Sequence, residues 1–185
     1  MQTATWLPGY GLLMNCARAT VLTLAIGCAG DEAVGPARPT PEQRAQIAEV
    51  IDEAGGFEDY TIGRHLSEVV NVGAPSAKHY MPDGLALNVY RKSNLGVKVG
   101  DVVFSSMALY FGRTDELQMY RLTTETSAAE CETAKVKLSE AFGMADPIGK
   151  GVYRWLGHTV FGTWQHTDVR GKPTCIIEFR ATKMR

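Results

Sequence analysis

The chain has 185 residues, 45% hydrophobic and 21% charged. That is the composition of an ordinary globular protein, long enough to bury a core without staples. A formal net charge of −1 gives no basis for binding nucleic acid or an anionic membrane surface. Acids gather at the front of the body, between Glu42 and Asp59, and bases at its end, from Lys150 onward; such charge acts first as solvated surface.

The opening segment comes first in chain order. Ala19 to Ile26 is apolar apart from Thr20 and Thr23. It is far short of the ~20 apolar residues of a transmembrane helix, but it suits the core of a secretory signal, with Arg18 as the positive flank. The residues before Met14 carry no positive charge and include Pro8, so a true start at Met14 leaves a compact signal. Leu24-Ala25-Ile26-Gly27-Cys28 resembles the lipobox of bacterial lipoproteins, with Ala25 where that family usually has Leu. The resemblance implies a signal over residues 1–28 and lipidation of Cys28, with a diacylglyceryl group on its thiol and an acyl chain on its amine. Each buried methylene of such an anchor contributes about 0.8 kcal/mol. Ala29, in place of Asp, resembles an outer-membrane address. Gly30, Gly35, Pro36 and Pro39 then mark residues 29–40 as a flexible tether, which leaves 41–185 as a single body. The competing reading is an N-terminal helix of a soluble cytosolic domain that happens to contain a cysteine.

In the body, Thr40-Pro41-Glu42-Gln43 is a helix start, with Thr40 as cap and Gln43 completing a capping box. Ile47, Ala48, Ile51 and Ala54 share one helical face, and Gly55-Gly56 stops it. A shorter helix is predicted from Ile62 to Val70. Leu85, Leu87 and Val89 alternate with polar or small neighbours as a strand, and Ser93 to Gly96 reads as a loop. A long strand follows from Asp101 to Phe111, placing Val103, Met107, Leu109 and Phe111 on one face and Phe104 and Tyr110 on the other. Leu117 to Thr124 is its return arm. Ser127 and Glu130 form a second capping box, and Gly143 closes that helix. Strands are predicted at Val152–Leu156, Thr159–His166 and Thr174–Ala181, the last two joined by a turn over Asp168–Pro173.

The expected class is α+β: an antiparallel meander sheet packed on one face by two or three helices, in the order ααβββαβββ. In architecture alone this is similar to BamE-type outer-membrane assembly lipoproteins and β-lactamase inhibitory proteins, with no shared motif. Cys16 and Cys28 fall within or at the end of the signal. Cys131 and Cys175 remain, and in an exported protein two such cysteines pair. Their loop of about 45 residues contributes about 4 kcal/mol in the chain-entropy model. In a cytosolic protein they would be two buried thiols.

No Gly-x-Ser-x-Gly elbow, phosphate loop, dinucleotide fingerprint, HExxH or CxxC is present, so neither a catalytic residue nor a metal or cofactor site is assigned. His166 and Asp168 are close in sequence, but an Asp opening a turn usually bonds its own backbone. The richest patch is Tyr153, Arg154, Trp155 and His158 with Trp164. Aromatics on a strand face suit a peptide, glycan or envelope-protein partner; large aromatics are also highly buried on average, which makes core the competing reading. Function is therefore expected to be non-enzymatic binding or assembly at the cell envelope. The alternative is a tethered hydrolase assembled from scattered residues such as Ser105, Ser106, His79 and Asp83.

Overall fold

A computed structural model describes residues 36–57, 59–69 and 73–184. The signal, Met14, the lipobox through Cys28 and the first part of the tether lie outside the described residues, as does Val70. Among the described residues no helix is long and apolar enough to cross a membrane.

Both capping boxes form. Helix α1 (Pro41–Ala54) starts where Thr40 Oγ1 accepts the Gln43 N–H at 3.2 Å and the Gln43 side chain accepts the Thr40 N–H at 2.9 Å. Ile47, Ala48 and Ile51 are its buried face. Helix α2 (Ala128–Phe142) opens with the same reciprocal pair between Ser127 and Glu130, and buries Cys131, Ala134, Leu138 and Phe142. These are local devices, satisfied within four residues, which is why the sequence shows them.

The helix expected over Ile62–Val70 does not form in its described part. Strand β1 (Gly56–Phe57) pairs with β2 (Tyr60–Thr61), and beyond them only a 3₁₀ turn appears, at Leu66–Glu68. The backbone bonds of this segment go elsewhere. Gly63 and Leu66 donate to the carbonyls of Leu117 and Asp115, both at 2.8 Å, and Arg64 accepts from Leu117 at 2.9 Å. Those groups are no longer free for a helical ladder.

The remaining strands form one antiparallel sheet of two meanders. The first is β3 (Ala77–Tyr80), β4 (Ala86–Val99), β5 (Val102–Phe111) and β6 (Leu117–Glu125). The second is β7 (Asp146–Gly149), β8 (Val152–Leu156), β9 (Val160–Val169) and β10 (Lys172–Ala181). The order is β3-β4-β5-β6-β10-β9-β8-β7, so each meander's last strand lies at the centre, with Leu122 opposite Ile177. The α+β class stands, with each long helix leading to four sheet strands where three were expected. The additions, β3 and β7, are four-residue edge strands with no apolar alternation; Pro147 is tolerated because β7 is an edge.

Ser93–Gly96 is not a loop. β4 runs through it with a bulge, where the register shifts between Ser93 and Val97 and Asn94 takes a φ of 57°. The bulge exchanges the faces. Phe104 is fully buried while Val103 is 55% exposed, although Met107, Leu109 and Phe111 are buried further along β5. Phe104 therefore belongs to the core, and Tyr110 to a small second cluster with Leu87, Val89 and Met119 on the opposite face. The turn before β10 is also tighter than Asp168–Pro173. It turns on Arg170-Gly171, with φ of 57° and 80°, while Asp168 Oδ1 accepts the Gly171 N–H at 2.6 Å.

Cys131 and Cys175 form a disulfide across 44 positions of sequence, tying α2 to β10 at the centre of the main core. The β4–β5 turn presses onto α2 as well. A Cβ on Gly100 would lie 2.6 Å from the Thr133 carbonyl oxygen, at a φ of 61° that itself favours glycine.

Candidate functional site

The site begins with how α1 is pinned. Asp52, in its last turn, reaches the β8–β9 connection and accepts N–H bonds from His158 at 2.7 Å, Thr159 at 2.8 Å and Val160 at 3.0 Å. The Thr159 hydroxyl adds a fourth at 2.8 Å. Partial burial pushes this carboxyl up, but the hydrogen bonds outweigh it and hold it below its ordinary value. Gly157 makes the approach possible. A Cβ there would fall 2.3 Å from Asp52 Oδ1 and 2.6 Å from both Ile51 Cγ2 and the Val160 carbonyl oxygen.

Docked this way, α1 leaves a cavity of about 270 Å³ between itself, the Met144–Asp146 segment and the end of β8. Its apolar wall is Ile47, Ala48, Met144 and Leu156. Met144 and Leu156 are 43% and 48% exposed, unusually open for large apolar side chains side by side. Its polar groups are Arg44, Asp146, Arg154 and His158. Arg44 Nη2 lies 3.5 Å from Asp146 Oδ1, an ion pair too long to be a hydrogen bond. Asp146 and Arg154 are direct cross-strand partners of β7 and β8. Both Asp146 Oδ1 and Arg154 Nε are buried atoms without a hydrogen-bond partner. Leaving such an atom unmatched costs about 1–3 kcal/mol. These two atoms are themselves closed to solvent, so what the cavity presents is two guanidinium groups against one carboxylate, whose side chain keeps 23% of its surface, and an apolar wall.

Of the residues singled out from sequence, Arg154 and His158 line this cavity. Tyr153, Trp155 and Trp164 lie on the other side of the strands. An exposed aromatic surface is not what these indoles make: Trp155 is 1% and Trp164 3% exposed. Each indole N–H donates to a carbonyl of α2 or its C-cap, Trp155 to Gly143 at 2.7 Å and Trp164 to Cys131 at 2.9 Å. Tyr153 packs edge-on to Trp164, under the Lys135 ammonium 4.1 Å from its ring centre. Strand alternation explains the division, sending Tyr153 and Trp155 inward and Arg154 and Leu156 the other way.

The scattered hydrolase set is not brought together. The hydroxyls of Ser105 and Ser106 both donate to the Thr123 carbonyl. His79 packs on the Tyr110 ring from β3, and Tyr110 lies four residues, about 14 Å of strand, from Ser106. Asp83 accepts the Leu85 N–H within its own turn. His166 contacts the Thr126 carbonyl at 3.2 Å while Asp168 holds its turn. Among the described residues no three His, Cys, Asp or Glu side chains are grouped to hold a metal.

Sequence reading missed Arg44, Met144 and Asp146. Arg44 had a usable signal, since it stands three residues before Ile47 and on the same helical side. Asp146 had none, because the strand that carries it has no apolar pattern. Comparison of the chain with known family models, with curated proteins and with solved structures finds no match.

Proposed function

We propose that the protein is an exported envelope lipoprotein, anchored to the membrane through lipidated Cys28, whose body is a non-enzymatic binding module. In this reading residues 1–28 are the signal, 29–40 the tether and 41–185 the module, facing the periplasm or held at the outer membrane. Within the proposed tether, Pro39 lines the cavity and Thr40 caps α1. The observation that carries export is the disulfide. Both cysteines are fully buried and bonded to each other, a state that persists in oxidising compartments and is rare in the cytosol. The binding role draws on the half-open apolar cavity, with Arg44 and Arg154 set against one carboxylate. Sites for small ligands and peptide ends are concave and mostly apolar, with a few convergent polar groups.

The test is the intact mass of the full chain, expressed in a lipoprotein-processing bacterium and extracted from its membranes. The expected product begins at Cys28, carries acyl groups, and is lighter by two hydrogens for the Cys131–Cys175 bond. An unprocessed chain with free thiols would overturn export and favour a cytosolic domain. A chain cleaved but not acylated would overturn the anchor alone.

A further inference from the structure

We propose that the cavity between α1 and β8 captures the C-terminal residue of a peptide whose last side chain is apolar; this builds on the reading of the body as a binding module. Charge comes first. Arg44 and Arg154 face a single carboxylate, Asp146, and His158 at the rim adds none when neutral. Arg44 is the group that approaches Asp146, at 3.5 Å. Among the described residues Arg154 has no ion-pair partner, and its buried Nε has no acceptor. A guanidinium so placed is suited to a carboxylate, which its Nη groups meet while Nε stays closed to the ligand.

The second unmatched atom narrows the ligand. Asp146 Oδ1 is buried without a donor at hydrogen-bond distance, and it belongs to the residue directly across the ladder from Arg154. Oδ1 itself is closed to a ligand, but the Asp146 side chain keeps 23% of its surface, so a ligand that meets its other oxygen must present an N–H beside its carboxylate. The last residue of a peptide does so, since its carboxylate and its own amide N–H flank one Cα. Its side chain then lies against Ile47, Ala48, Met144 and Leu156. The space of about 270 Å³ is at the small end of the roughly 300–1,000 Å³ of ligand pockets, room for one residue and not for a folded segment. Ligand charge separates the candidates. A peptide C-terminus brings one negative charge and neutralises the cavity. A free amino acid adds an ammonium and leaves it cationic, and a fatty carboxylate leaves Asp146 unmatched. Capture of a terminal carboxylate is an established mode of peptide recognition.

The experiment uses the full chain and fluorescein-labelled Ala-Ala-Leu with a free C-terminus, followed by fluorescence anisotropy. Unlabelled acetyl-Ala-Ala-Leu, its C-terminal amide, free leucine and decanoate serve as competitors. The acid is expected to compete, with the amide, leucine and decanoate each at least tenfold weaker. Arg154→Met should weaken the tracer at least tenfold without lowering the melting temperature, because Nε has no partner to lose. Leu156→Glu, at a half-exposed position, should weaken it similarly and serves as the second variant. Several results overturn the proposal: acid and amide competing equally; leucine or decanoate matching the peptide, which makes this a small-molecule site; or wild-type binding in both variants. Absence of saturable binding also overturns it. None of these results alters the mass of the membrane-extracted chain, so failure here and failure of the export reading are told apart.

Discussion

The two meanders have the same number of strands and meet at their last ones, yet they use their faces differently. The first buries apolar side chains on both. Phe104, Met107, Leu109 and Phe111 enter the main core, while Leu87, Val89, Tyr110 and Met119 form the second cluster, covered by Met81, Leu85 and Met184. The second meander sends Trp155, Trp164, Cys175, Ile177 and Phe179 to the core, and its other face mixes charged and polar side chains with half-exposed apolar ones such as Leu156. A row of cross-strand partners runs Asp146, Arg154, Thr163, Glu178 and on to Arg121 of β6. Glu178 accepts from Arg121 at 2.6 Å and 2.8 Å, and holds that guanidinium above its ordinary pKa although burial opposes it. The comparison teaches where a site can arise. A meander with an apolar cluster on each face spends most of its large apolar side chains on packing. One closed on a single face, with a helix pinned across its rim, leaves a cavity at the margin.

The largest effects should come from breaking each meander's hold on the shared core. Phe104→Ala in the first and Trp155→Ala in the second should each cost about 3–5 kcal/mol in denaturant unfolding; Phe104 and Trp155 are 0% and 1% exposed. A loss under ~1 kcal/mol at Trp155 would return it to the surface. Next is the tie between α2 and β10. Cys131→Ala with Cys175→Ala opens a loop of 44 positions and should cost about 4 kcal/mol by the same measurement. Equal stability of the oxidised protein and the double variant would show that packing alone holds this centre.

Asp52→Ala should be smaller, about 2–3 kcal/mol, since it leaves three backbone N–H groups to find water. It also carries a pH signature. The folded carboxyl titrates below the ordinary 3.8, so its contribution is fully present above that value and is lost as pH falls through the lower folded pKa. Between about pH 5 and pH 2 the wild type should lose stability more steeply than Asp52→Ala; parallel profiles would disprove the latch. The smallest effect sharpens the reading of the bulge. Val103→Thr, at a position 55% exposed, should change stability by no more than about 0.5 kcal/mol, although its neighbour Phe104 is among the most costly to truncate.

Much of the fold was legible because it is local. The capping boxes at Thr40 and Ser127 and the glycine stops are each complete within a few residues. The strands at Val152–Leu156 and Thr174–Ala181 also stand close to where alternation placed them. The face of Phe104 was not legible. A bulge changes strand phase, and the sequence from Ser93 to Gly96, with its Asn and Gly, describes a bulge and a loop equally well. The segment after Ile62 departs from the expected helix because its N–H groups find partners at Asp115 and Leu117, about fifty residues away, and no local pattern records that. The candidate site divides the same way. The alternation of Arg154 with Tyr153 and Trp155 was visible, but which set turned inward depends on where α2 and its disulfide lie.

By itself the sequence determined two capped helices, an antiparallel sheet of α+β class and two cysteines suited to pairing, because hydrogen bonding over one turn and apolar periodicity over one strand are short-range. Only the tertiary structure decided that Asp146 on an unpatterned edge strand, Arg154 on β8 and Arg44 on α1 share one cavity. Their meeting follows from Asp52 gripping the β8–β9 connection past a glycine that leaves room for it, a contact joining residues more than a hundred positions apart.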